Sequence, residues 1–487
     1  MLRAAVTVAC LTALVVGCDA SSSAVLTIEL IDPHTGGNPA LDVTSGTLRV
    51  TVEEGGAIAE CPDMRCVAEI SRGEFSLDFP VTTVTALTRV QAEITGAPAL
   101  RVGASPFFGF NEGLGEGVTV NDLAIRIPML TPGACTSLDA PNVSVTGLPL
   151  LAAPRRDAGV AVRRNIALVV GGIEATGPSG RVDRYDQAVT EVPLELAPVE
   201  AMGPTRGVAL DEDNSLFVGQ VALHFVPGDG MDGSGAGPPE AEVFGVHPGA
   251  SARSALIAIS GTQAAVVGGV GSDGVTWVTL DGALAIVTAV HALAEVREDP
   301  AVARVGNGAL VVGGAPDRAL GAELIVPGSD GAPVAVEGTL PAGSGGWLIP
   351  SPDSRTLLWI GRVERDGAGG LVAPTDTVLL SGCPTACTAS AGPTWDRART
   401  GAASVRTLAG DQWLVGGDGP LGVANDRVRW SGSTPRIEPA PDLVHARSGA
   451  SVVEHGSGII AVLGGESEDG LRADVELCLP DPGLDPF

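Results

Sequence analysis

From residue 166 onward the chain repeats one phrase, an apolar run rich in valine and isoleucine that closes on glycine, as in "NIALVVGG", "QAAVVGG", "GALVVGG" and "QWLVGG". The runs end at Gly171, Gly219, Gly268, Gly313, Gly361, Gly416 and Gly464, at intervals of 48, 49, 45, 48, 55 and 48 residues, and a second glycine follows in five of the seven. A fixed period of this length means one small supersecondary unit per repeat, which cannot bury its apolar face alone and has to stack on its neighbours. The β-branched runs suit strands covered on both faces, and the glycines admit a backbone that other residues avoid. Each internal repeat offers two more strands after its glycines, for example "AELIVPG" and "APVAVEGTL" in the fourth. The last repeat has only "ADVELCL", so its outer strand is expected from "VSVTGLPLLAAPRRDAG" at 143–159, which parallels 189–207 in pattern. Strands from both chain regions would then complete one sheet and hide its edges.

The period, the di-glycine after the apolar strand, Tyr185 in "RVDRYDQAVTEVPL" and Trp277 and Trp430 in comparable strands resemble the kelch repeat. That resemblance covers roughly residues 143 to 479. It implies an all-β chain whose residues 143–487 form a seven-bladed kelch-type, galactose-oxidase-like β-propeller with four strands per blade. The copies are degenerate, and repeats two and five, "LFVGQV" and "LLWIGR", lack the second glycine. Copper-radical oxidases of that family need two tyrosines and two histidines at the metal, and a single tyrosine excludes their chemistry here.

Ahead of the repeats, alternating runs "VLTIELID", "GTLRVTVEE", "EFSLDFP", "RVQAEITG" and "LAIRIPM" are separated by Gly, Pro, Asp and Asn signals. They predict an immunoglobulin-like β-sandwich over 24–131, with Phe107, Phe108 and Phe110 in its core and a linker at 132–142. The first residues, "MLRAAVTVACLTALVVGC", carry one arginine and an apolar stretch too short to span a bilayer. They resemble a bacterial lipoprotein leader, which implies a signal peptide at 1–17, a lipid on Cys18, a tether at 18–23 and a membrane-anchored place in the cell envelope.

Once Cys10 leaves with the leader and Cys18 is lipidated, six cysteines remain. In an oxidising compartment they are expected to pair as Cys61 with Cys66, Cys383 with Cys387, and Cys135 with Cys478. No histidine stands near the two short pairs, which argues against zinc.

A formal charge of −28 repels nucleic acid and anionic membrane surfaces. The three G-x-G-x-x-G stretches, at Gly228, Gly269 and Gly417, lead to strands rather than helices and predict no dinucleotide site. The six histidines show no metal spacing, and no G-x-S-x-G surrounds a nucleophile, so neither a metal nor a cofactor is expected. All 29 basic residues are arginine. Five of them, Arg156, Arg206, Arg253, Arg399 and Arg447, fall at like positions ahead of five of the seven repeats, in "PRRDAG", "PTRGV", "SARSA", "RARTG" and "HARSG". On one mouth of a central channel they would select a carboxylate or acidic peptide; paired with neighbouring acids they would instead lock the repeats together. The expectation is a non-enzymatic envelope lipoprotein that binds an envelope protein or an acidic ligand. The alternatives are a propeller enzyme acting on glycans and a scaffold for envelope assembly.

Overall fold

A computed structural model describes residues 124–137 and 151–480 apart from short gaps, together with strand segments between residues 23 and 109. The leader at 1–17, Cys18, the Cys61 and Cys66 pair, and the side chains of Phe107, Phe108 and Phe110 lie outside the described residues. The described chain is all β, with no helix.

The N-terminal strands form two sheets. In one, Ser23–Ile31 lies between Phe75–Pro80 and Ala124–Pro128; in the other, Gly46–Glu54 pairs with Leu87–Gly96, which continues to Arg101–Ala104. Gly103 marks a close approach, since a Cβ there would lie 2.6 Å from the Ile127 side chain and 2.8 Å from that of Met129.

Each repeat folds into a four-stranded antiparallel unit. Unit I spans 159–195, II 206–243, III 255–292, IV 301–337, V 347–391, VI 403–440 and VII 451–479, with strands paired in chain order outward from the first. The apolar runs are the second strands, fully buried because packing covers both their faces; Ala167, Leu168, Val169 and Val170 are all 0% exposed. Units IV and V share one eight-stranded sheet through parallel pairing of Ala332–Glu337 with Ala386–Ala391. The end strands of that sheet, Ala301–Val305 and Trp347–Pro350, also lie side by side, so it nearly closes on itself like a barrel. First strands of successive units adjoin from I to V and from VI through VII back to I, while Ile349, Ile360, Trp395 and Leu414 join V to VI in one apolar cluster.

The fourth strand of unit VII corrects an expectation. It is Ala134–Ser137, from the segment read as a linker, and it pairs antiparallel with Val475–Leu479 in a register that sets Cys135 opposite Cys478; of the expected 143–159, residues 143–150 lie outside the described residues. Gly159, the last residue of the segment expected to close the sheet, instead opens Gly159–Arg163, the first strand of unit I. The two expected disulfides among the described residues are present, Cys135 to Cys478 and Cys383 to Cys387.

The di-glycines have a specific task. Both residues of every pair have positive φ, for example 60° and 126° at Gly416 and Gly417, a conformation that costs other L-residues free energy. The second glycine then donates its N–H to the segment leading into the next unit: Gly172 to Gly203, Gly269 to Arg297, Gly314 to Gly343, Gly417 to Arg447 and Gly465 to Arg155, at 2.7–2.9 Å. The last of these joins unit VII to unit I.

Candidate functional site

The arginines divide into two sets. Four residues before the first strands of units I, IV, VI and VII stand Arg155, Arg297, Arg399 and Arg447, each at most 4% exposed. Each guanidinium meets a buried carboxylate on the third strand of its own unit or just ahead of it, and a carbonyl near the end of the second. Arg155 donates to Asp183 at 2.6 Å and to the Val169 carbonyl at 3.0 Å. Arg297 donates to Glu323 at 2.7 and 2.9 Å and to Gly313 at 2.5 Å. Arg399 bonds Asp426 at 2.6 Å and the carbonyls of Gly416, Leu414 and Ala424, and Arg447 bonds Asp474 at 2.8 Å, Glu476, and Gly464. Burial opposes ionisation of Asp474, but Arg472 and Arg447 outweigh it and hold the carboxyl below its usual range.

Unit V reaches the same result with the partners exchanged. Gly343 stands four residues before its first strand, and Arg362, in the place of the second glycine, fills the space: a Cβ on Gly343 would lie 2.9 Å from Arg362 Cδ. Arg362 donates to the Asp376 carboxylate and carbonyl, both at 2.6 Å. In unit III the Gly268 carbonyl is met by His247 Nε2 and Ser254 Oγ, each at 2.8 Å.

The five arginines singled out in the sequence therefore do not form one set. Arg399 and Arg447 are buried staples, and the staple in unit I is Arg155, one residue before the expected Arg156. Arg156, Arg206 and Arg253 do emerge together, with side chains 37%, 55% and 59% exposed. Each has a carboxylate partner: Arg156 has Asp157 at 2.8 Å and Glu466 at 2.9 Å, Arg206 has Asp299 at 3.4 Å, and Arg253 has Glu298.

These residues sit on a belt of backbone hydrogen bonds running from unit to unit. Gly449 donates to Gly401, Asp157 to Gly449 and Thr205 to Asp157; farther along, Asp299 donates to Arg253 and Gly345 to Asp299, at 2.5–3.0 Å. Glycine with positive φ occupies the belt at 345, 401 and 449, whereas Asp157 and Asp299 adopt the same left-handed backbone at φ 55° and 52°. An aspartate tolerates that region better than most residues but less freely than glycine. Burial raises the Asp157 pKa, opposed by Arg156 and Arg206 and reinforced by Asp418 and Glu466. The rim thus carries three guanidiniums and five carboxylates, Asp157, Glu298, Asp299, Asp418 and Glu466. Among the described residues no group of three His, Cys, Asp or Glu side chains could hold a metal ion.

No protein-family model matches the chain, and no curated protein does. A solved structure titled "Structure of YjhT" is similar at 12% identity and a TM-score of 0.42, over 60% of this chain and 99% of that one.

Proposed function

We propose that this chain is an envelope lipoprotein in which the seven units are the blades of a kelch-type propeller, carried behind an immunoglobulin-like sandwich, and that the propeller is a non-enzymatic binding module. Its ligand sits at the charged rim around the belt. The observation that carries this reading is the presence of Asp157 and Asp299 at left-handed belt positions, where the segments ahead of units V, VI and VII use glycine. Carboxylates are held there at a backbone cost, beside the three exposed arginines, while the remaining singled-out arginines are consumed inside the units. A residue kept in a costly conformation at a solvent-facing rim is better explained by what its side chain does than by the fold it interrupts. Because the three exposed rim guanidiniums, Arg156, Arg206 and Arg253, already face carboxylates, the rim favours a partner bearing a cationic group over the acidic ligand that the arginines alone suggest.

Asparagine accepts left-handed backbone as well as aspartate, so Asp157→Asn with Asp299→Asn removes the charge and keeps the conformation. Affinity capture from detergent-solubilised envelopes should recover a partner with the parent protein and lose it with the double variant, at an unchanged melting temperature. Equal capture by both proteins would refute the rim as the binding face.

A further inference from the structure

The loops at the rim end of the units expose several large apolar side chains. Among the described residues eight large hydrophobic side chains are exposed; Val270, Val296, Leu371, Val372 and Val444 lie in loops or hairpins at this end, and Val243, Ile286 and Val290 lie on outer strands of units II and III. Scattered exposed aliphatics need no explanation, but five gathered in the loops at one end of the units do.

Four of the five form an arc over units III to V. Val270 is held between Gly269 and Gly271, both with positive φ, in the turn that receives Arg297: Gly269 donates to the Arg297 carbonyl and Arg297 N–H to Ser272. Val296 precedes that arginine. From there Glu298 donates to Gly314, and the strand that follows, Ala315–Ala319, packs against the hairpin of Glu364–Arg365 and Leu371–Val372. Leu371 and Val372 are exposed on that hairpin.

The charges along the arc do not cancel. Arg253 with Glu298, Arg318 with Glu295 at 2.9 Å and Arg362 with Asp376 at 2.6 Å neutralise one another. Asp317, Glu364 and Asp366 are left against Arg365, a residual charge of −2 on a chain already at −28. Asp317 and Asp366 have no cation within salt-bridge distance among the described residues, and Asp366 is fixed by accepting the N–H groups of Ala368 and Gly370 at 2.9 and 2.7 Å.

We infer that this arc docks a protein segment in which lysine or arginine alternates with aliphatic side chains, the aliphatics covering Val270, Val296, Leu371 and Val372 and the cations meeting Asp317 and Asp366. The inference rests on the rim reading above and adds the chemistry of the partner and the loops that hold it. The residual charge steers a cation in and repels an acidic segment; the apolar points supply the area that charges in water do not.

The probe is a fluorescein-labelled twelve-residue peptide of alternating leucine and lysine, titrated with the full chain and read by anisotropy. A leucine–glutamate peptide and a serine–lysine peptide serve as comparisons. The leucine–lysine peptide should bind most tightly, and Val296→Ser with Leu371→Ser should weaken it by about tenfold or more. Both positions are exposed, so the variant keeps its fold, and an unchanged melting temperature checks that. Equal binding of the glutamate peptide, or parent-like affinity in the variant, overturns the inference. If the arc variant binds the peptide as the parent does while the Asp157→Asn, Asp299→Asn protein loses envelope capture, the rim reading stands and this inference falls. Loss of peptide in the arc variant with capture unaffected by the rim variant gives the reverse.

Discussion

Replacing Arg399 with methionine tests the division of the arginines into staples and rim. The Arg399 side chain is 1% exposed and that of Asp426 3%, and the pair is further enclosed by Trp395, whose ring lies 5.2 Å from the guanidinium and whose Nε1 donates to Asp426 at 2.7 Å. Methionine fills a similar volume without the charge. It leaves Asp426 with Trp395 and Arg397 alone, and removes donors from the carbonyls of Gly416, Leu414 and Ala424. Deleting one partner of a buried ion pair costs about 3–5 kcal/mol, and because Arg397 still lies 2.8 Å from Asp426 the loss here falls toward the lower end of that range. With an unfolding entropy of about 2.1 cal/mol/K per residue over about 330 residues, that range corresponds to a fall in Tm of roughly 4–7 °C. Arg206→Met removes an exposed pair worth about 1 kcal/mol or less and should shift Tm by no more than about 1.5 °C. Differential scanning calorimetry of both variants beside the parent decides the matter. An Arg399→Met protein that melts with the parent, or an Arg206→Met protein that falls as far, would refute the staple argument.

Three further outcomes are expected. Cys135→Ala with Cys478→Ala should lower the melting temperature, since closing a loop across 343 residues is worth at most roughly 6 kcal/mol by chain entropy and in practice about 0–5; peptide mapping without reductant should recover the cross-linked fragment from the parent, and two free thiols there would remove the bridge. His247 is buried, which holds its pKa below the ordinary 6.5; the unfolded chain therefore takes up a proton that the folded one refuses, so its contribution to stability is complete above that value and is lost as pH falls from it toward the folded pKa, a slope that urea titrations should find reduced in His247→Gln. Cys18→Ser should move the protein from the detergent phase to the aqueous phase on phase partitioning, and unchanged partitioning would end the lipoprotein reading.

The repeat was legible because its signal is stereochemical. Paired positive φ at a crowded crossing leaves glycine as the residue that fits, so the di-glycines announce each second strand and, through Gly465 and Arg155, the link between the last unit and the first. Cys383 with Cys387 and Cys135 with Cys478 were legible, the first by its close spacing and the second as the pair left over. The closing strand was misplaced because 143–159 parallels 189–207 in pattern, whereas "ACTS", a four-residue strand held by pairing and a disulfide, needs little pattern of its own. The arginine positions slipped at "PRRDAG", where two adjacent arginines serve opposite purposes, Arg155 inward and Arg156 outward. Arg297 in "VREDPA" and Arg362 after "LLWIG" lacked the flanking pattern used to find the others, and only the space left by Gly343 explains why Arg362 stands where a glycine does elsewhere.

The pairing of Ala134–Ser137 with Val475–Leu479 also sets an order of events during synthesis. The outer strand of unit VII emerges before any of the seven units, and its partner follows about 340 residues later, which at about 5–20 residues per second is roughly 20–70 s. Units I to VI can each pair their own strands within that interval, whereas this one has to be held unpaired, with Cys135 in its thiol form, until the last repeat arrives. A fragment that stops before Val475 would leave that strand exposed beside the N-terminal sheets, and a delay in reaching it gives other extended segments the same interval in which to compete.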